Sequence, residues 1–151
     1  MIRNKGFTLI ELLVVIVVIG VLAGVGIYYF RGLFIRQRLE ESKNEVIAFY
    51  QRTNKYATTD GKDYKIEVDR QNEFLRCMKA SAAATTKDSL GLRQGLDLEH
   101  SGGATITFTV NADGTVDDDD NEREFTITDS EIGKTIEFYI SPLGIMEVKV
   151  K

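Results

Sequence analysis

The sequence predicts an α+β fold: a long N-terminal α-helix packed on a C-terminal antiparallel β-sheet. Three observations predict it. Leu12 to Phe30 is uncharged and almost wholly apolar. Ile35, Leu39, Val46, Phe49 and Tyr50 then recur at spacings of three, four and seven, with Ser42 in the gap. The C-terminal third alternates apolar and polar residues between turn signals.

The apolar run comes first. About 20 such residues cross a bilayer as a helix. A secretory signal has a shorter core followed by a small-residue cleavage site, and Ala23-Gly24 resembles such a site. The run nevertheless continues through Val25, Ile27, Tyr28, Tyr29 and Phe30 and enters the amphipathic stretch without a turn signal. This favours a retained anchor. Its orientation stays open, because Arg3 and Lys5 on one flank face Arg31, Arg36, Arg38 and Lys43 on the other.

From Leu33 to about Arg52 there is no Pro or Gly, and Arg36, Arg38, Glu40, Glu41, Lys43 and Glu45 fill the positions between the apolar stripe. The stripe reads as a core face covering a sheet. A continuous helix from Thr8 to Arg52 would be roughly 65 to 70 Å long at 1.5 Å per residue.

Beyond it, Tyr64, Ile66 and Val68 alternate with Lys65, Glu67 and Asp69, predicting a strand. Asn72-Glu73 before Phe74, Leu75, Met78 and Ala82 predicts a short capped helix. Ser81 to Gly103 reads mostly as loop. Ile106, Phe108 and Val110 form a strand, Asn111-Ala112-Asp113-Gly114 a turn, and Thr115-Val116 a short return. Phe125 and Ile127, then Ile136, Phe138 and Ile140, then Met146, Val148 and Val150 predict three more strands. Ser141-Pro142-Leu143-Gly144 fits a type I turn. The expectation is a single meander with one apolar face turned to the helix.

With 151 residues and a net charge of −4, both signs spread along the chain, the composition indicates one domain and no nucleic-acid footprint. Cys77 is the single cysteine, which excludes an intrachain disulfide. Cys77 and His100 are the one Cys–His combination available, and nothing around them resembles a catalytic signature, so no enzyme and no cofactor are expected. Asp113 and the run Asp117, Asp118, Asp119, Asp120 are oxygen-rich, as calcium loops are. The glycine of Asn111-Ala112-Asp113-Gly114 falls too early for an EF-hand, and a solvated acidic loop is the preferred reading, with no metal site.

One residue contradicts the apolar run. Glu11 stands among Phe7, Leu9, Ile10 and Leu12, where a carboxylate costs about 3 kcal/mol on insertion scales. A Glu near the membrane surface can snorkel into the headgroups. The surrounding residues, Lys5-Gly6-Phe7-Thr8-Leu9-Ile10-Glu11 opening an apolar run with Gly20 further on, suggest more. They closely resemble the N-terminus of type IV prepilins and of type II secretion pseudopilins. The resemblance implies a leader, Met1 to Gly6, cut after Gly6 by a prepilin peptidase that methylates the new amine of Phe7. It also implies a leader in the cytoplasm, a single pass through the inner membrane and a head outside. Partners would be other pilin or pseudopilin subunits, an inner-membrane assembly platform and membrane lipid.

Cleavage would create an ammonium at Phe7, one helical turn from Glu11. The pair could form within one chain or between neighbours, and the resemblance favours the neighbour, where it would set axial register. Many pilins carry a Pro in the second half of this segment; here Tyr28 stands there, between Gly24, Gly26 and Gly32. The expected organisation is leader 1–6, polymerisation helix 7–30, amphipathic half 31–53 and head 54–151. The strand-rich C-terminal part looks more like a minor pilin or pseudopilin. The competing reading is a membrane-anchored binding domain outside any filament.

Overall fold

The computed structural model describes residues 7–81, 85–117 and 123–151, the side chains of Tyr28 and Arg31 excepted. Helix α1 spans Leu9–Asp60, 52 residues. The chain divides into two compact units, Met1–Gln37 and Arg38–Lys151.

In the first unit, the helix displays Leu12, Ile16, Ile19, Leu22, Ile27 and Phe30 to its surroundings, each more than half exposed. Its most apolar 18-residue window is long and apolar enough to cross a membrane, and none of it is buried. A helix apolar all round needs an apolar environment on every side.

The second unit holds the remainder of α1 and eight strands. The predicted stripe is buried at Leu39, Ser42, Val46, Phe49 and Tyr50, as is Ile35 ahead of it. The helix outruns its expected end near Arg52, because Thr53 and Ala57 prolong the buried stripe. It stops at Gly61, whose φ of +59° and the Lys62 N–H bond to the Ala57 carbonyl (3.2 Å) form a glycine C-cap.

The strands are β1 (Tyr64–Asp69), β2 (Phe74–Lys79), β3 (Thr86–Gly91), β4 (Leu96–His100), β5 (Thr105–Val110), β6 (Glu124–Asp129), β7 (Lys134–Ile140) and β8 (Met146–Val150). They make two four-stranded sheets, ordered β3-β2-β1-β5 and β4-β6-β7-β8, with every described pairing antiparallel. The single meander is therefore corrected. β5 pairs with β1, more than thirty residues back, and the Thr115-Val116 return is one bridge, Val110 to Val116. The short helix after Asn72 is also corrected. Phe74–Lys79 is a strand because Leu75 and Cys77 are buried at alternate positions, while Asn72 belongs to the turn before it; Ala82 lies outside the described residues. Within the stretch read as loop, β3 and β4 form, with Leu90, Leu96 and Leu98 turned toward the core.

Two hairpin turns share one construction. At Asp69 the carboxylate accepts the N–H groups of Gln71 and Asn72, both at 2.9 Å. At Asp129 it accepts those of Glu131 (2.9 Å) and Ile132 (3.3 Å). Each turn closes with a left-handed residue, Glu73 at φ 52° and Gly133 at φ 63°. Asp129 is fully buried and also receives Arg38 Nη2 at 2.7 Å, fixing α1 to the second sheet. Arg93 bridges Glu41 (2.5 Å) and Glu45 (2.7 Å) beside it.

Burial by itself pushes the Asp129 carboxyl up, but Arg38 and the two N–H groups outweigh it and hold the group below the usual carboxylate range. A depressed folded-state value gives stability that is present above the unfolded value of about 3.9 and lost as pH falls through the folded one. Thermal melting is thus expected to weaken steeply below about pH 4. Asp129→Asn is expected to cost about 2 kcal/mol at neutral pH, discounted because Arg38 is a quarter exposed. It should also flatten the acid limb; an unchanged slope would remove Asp129 from the account.

Candidate functional site

The N-terminal end of α1 carries the sequence-predicted assembly residues. Thr8 is the helix N-cap: its carbonyl accepts the Leu12 N–H at 3.3 Å. Its hydroxyl oxygen accepts the Glu11 N–H at 3.3 Å and donates to Glu11 Oε2 at 2.8 Å. The Thr8 N–H donates to the same Oε2 at 2.9 Å. This is a reciprocal capping box, Thr-x-x-Glu, which satisfies N–H groups otherwise orphaned at a helix start. This capping role is absent from the sequence expectations, which read Glu11 as the partner of an ammonium or as a snorkelling acid, although the spacing is plain in Thr8-Leu9-Ile10-Glu11.

The box aims the carboxylate back toward the N-terminal end of the chain. Phe7, 82% exposed, immediately precedes the cap, and its nitrogen is the atom that cleavage after Gly6 would turn into an amine. Gly6 lies outside the described residues. Both described side-chain bonds fall on Oε2. A carboxylate has acceptor sites on both oxygens, so capping leaves capacity for a charged donor.

The other candidates separate. Asp113 Oδ1 accepts the Thr115 N–H (2.9 Å) and hydroxyl (2.6 Å), which lower its carboxyl's pKa, and Asp117 accepts Asn111 Nδ2 at 2.8 Å. Asp118, Asp119 and Asp120 lie outside the described residues, and among the described residues no cluster of three or more His, Cys, Asp or Glu side chains is placed to hold a metal. Cys77 is buried in β2, where burial pushes its thiol up, while His100 ends β4 in the other sheet.

Similarities to known proteins take in this end of the chain and much of the rest. The family described as the prokaryotic N-terminal methylation motif matches residues 1–27. The chain is 31% identical over 117 residues to a fimbrial protein of Pseudomonas aeruginosa, covering 76% of this chain and 65% of that one. It is 38% identical over 72 residues to the type IV major pilin protein PilA of Myxococcus xanthus, covering 48% and 29%. It thus spans just under two thirds of the length of the fimbrial relative. Its fold resembles the type IV minor pilin FimU of Pseudomonas aeruginosa (TM-score 0.57, 20% identity, 76% of this chain and 90% of that one). It also resembles the minor pseudopilin EpsH from the type 2 secretion system of Vibrio cholerae (TM-score 0.54, 20% identity, 71% and 94%). The chain thus opens on the prokaryotic N-terminal methylation motif, is similar in sequence to a fimbrial protein and a type IV major pilin, and shares its fold with a minor pilin and a minor pseudopilin.

Proposed function

We propose that this protein is a structural subunit of a type IV pilus-like or type II secretion filament, of the minor pilin or pseudopilin kind. The observation that carries the reading is the exposed apolar start of α1, headed by a carboxylate held in a capping box. The leader Met1–Gly6 stays in the cytoplasm and is removed by a prepilin peptidase, and the new amine on Phe7 is methylated. The helix over 7–30 rests in the inner membrane with the head over 54–151 outside, the amphipathic 31–53 joining them. The subunit then leaves the membrane by packing this helix among those of other subunits at an assembly platform. Glu11 meets the Phe7 ammonium of a neighbour; in low dielectric that attraction offsets the desolvation of both groups and stops apolar helices from sliding.

Intact-mass measurement of the protein purified from its native membrane tests the processing. The expected chain begins at N-methylated Phe7. A chain that keeps Met1, or begins after Ala23, would leave a tethered ectodomain or a secreted one and end the filament reading.

A further inference from the structure

We propose that the outer face of the second sheet is a docking surface for the lysine-rich end of the head of a second copy of this chain. Along β6 and β7, Phe125, Ile127, Ile136 and Phe138 turn inward, which leaves Glu124, Glu137 and Tyr139 outward. The register sets Glu124 and Glu147 directly beside Tyr139, one on each neighbouring strand. Tyr139 is 41% exposed, and with Glu124, Glu137, Glu147 and Lys149 it lines a shallow hollow of about 250 Å³. Asp97 and Glu99 extend the face onto β4. Lys149 and Lys151 are its described basic members, Lys151 being paired with Glu137 at 2.5 Å, so the face is net negative. Like charges held side by side on a sheet repel one another, and an opposite surface relieves that repulsion.

The complementary surface lies where α1 ends. Lys62, Lys79 and Lys87 gather near Asp60, and Lys65 is exposed at the start of β1. The acids there are engaged locally: Asp60 accepts the Tyr64 hydroxyl at 2.5 Å and Asp63 the Ala112 N–H at 3.0 Å. Lys87 lies over the Tyr56 ring, 5.3 Å from its centroid. Among the described residues no ion pair joins Lys62, Lys79 or Lys87 to an acid, nor Glu99, Glu124 or Glu147 to a base. Each surface is thus charged and accessible, and apart from the Glu137–Lys151 pair its named acids and lysines form no ion pair among the described residues.

The two surfaces are different parts of the same chain, so the contact is heterologous, and a heterologous contact passes from copy to copy into a ring or an open helix. The inference deepens the filament reading and rests on it for that repetition.

Full-length protein in detergent micelles, half of it isotopically heavy, is treated with a carbodiimide, which joins carboxylates to amines already in contact. Heavy-to-light links between Glu124, Glu137 or Glu147 and Lys62, Lys79 or Lys87 are expected, falling as salt rises. E124K/E147K and K62E/K87E should each lower the yield about tenfold, within the range for two exposed pairs. Mixing the two variants should restore it, because each then offers the other an opposite charge, a rescue that damage to folding would not give. Absence of these links in the unaltered protein, or a yield indifferent to both reversals, overturns the contact. A chain that links in this way but never enters filaments would keep the contact and sink the filament reading instead.

Discussion

Glu11→Ala is expected to leave cleavage after Gly6 and membrane insertion intact while filament incorporation falls at least a hundredfold. Insertion should improve if anything, since removing a carboxylate from an apolar segment gains about 3 kcal/mol. On the proposed pairing the loss appears only at assembly, where the neighbour's ammonium would be left buried and unpaired. Breaking a buried pair by removing one partner costs about 3 to 5 kcal/mol, more than a hundredfold in an equilibrium. Alanine also removes the acceptor that caps α1, so it cannot by itself separate the two roles of Glu11. Glu11→Gln does. A glutamine at this position of a capping box still accepts from the cap residue, so Thr8 remains satisfied and only the negative charge is gone. Glu11→Gln should therefore keep the helix start protected in amide exchange yet assemble about as poorly as the alanine variant. Counting subunits in sheared filaments by immunoblot reads this directly. Full incorporation of Glu11→Gln would reduce Glu11 to a helix cap and dismiss charge pairing.

That distinction shows where the sequence was legible. The methylation motif depends on neighbours in the chain, so it is legible over residues 1–27 without a structure, and the Thr8–Glu11 capping box is written in the same local spacing. The core face of α1 was equally readable, because helical periodicity is a local property: Leu39, Val46, Phe49 and Tyr50 are all buried. Sheet membership was not. Ile106, Phe108 and Val110 announce a strand, but nothing in them says that it lies beside Tyr64–Asp69. Pairing is decided by which apolar faces can be buried together, a property of the whole chain. The edge strands were harder still. Thr86–Gly91 offers Leu90 alone to the core and otherwise carries the residues of a loop. The second half of the mis-assigned helix fails for a related reason: Phe74, Leu75 and Met78 fit a helical spacing, while the burial of Leu75 and Cys77 follows a period of two.

The turn Ser141–Gly144 was read correctly, yet what it touches could not be, and the largest loss of stability is expected there. Gly144 N–H bonds the Ser141 carbonyl at 2.9 Å, and Gly114 N–H bonds that of Asn111 at the same distance. Both glycines have positive φ, +74° and +87°. The two turns abut: Val116 N–H reaches the Pro142 carbonyl at 2.9 Å, and a methyl group on Gly144 would overlap the Gly114 carbonyl oxygen. Since the first turn follows β5 and the second precedes β8, this backbone contact ties the two sheets together. Tyr50 secures it from the helix, its hydroxyl donating to the Gly144 carbonyl at 2.9 Å. Burial raises that hydroxyl's pKa to about 12, so it stays a donor at any physiological pH.

Gly144→Ala meets two penalties: a left-handed backbone for an L-residue, about 1 to 2 kcal/mol, and separation of the turns, which weakens the Tyr50 bond by about 1 kcal/mol more. A total near 3 kcal/mol predicts a fall in Tm of roughly 10 °C or more for a head of this size. Gly61→Ala supplies the comparison. Its φ is also positive, +59°, but a methyl there meets nothing within 4 Å. It should show the backbone penalty alone, about a half to two thirds of the Gly144 effect. The difference between the two melting curves, recorded on full-length protein in the same micelles, measures the turn-to-turn contact; equal losses would mean that the sheets are not joined there.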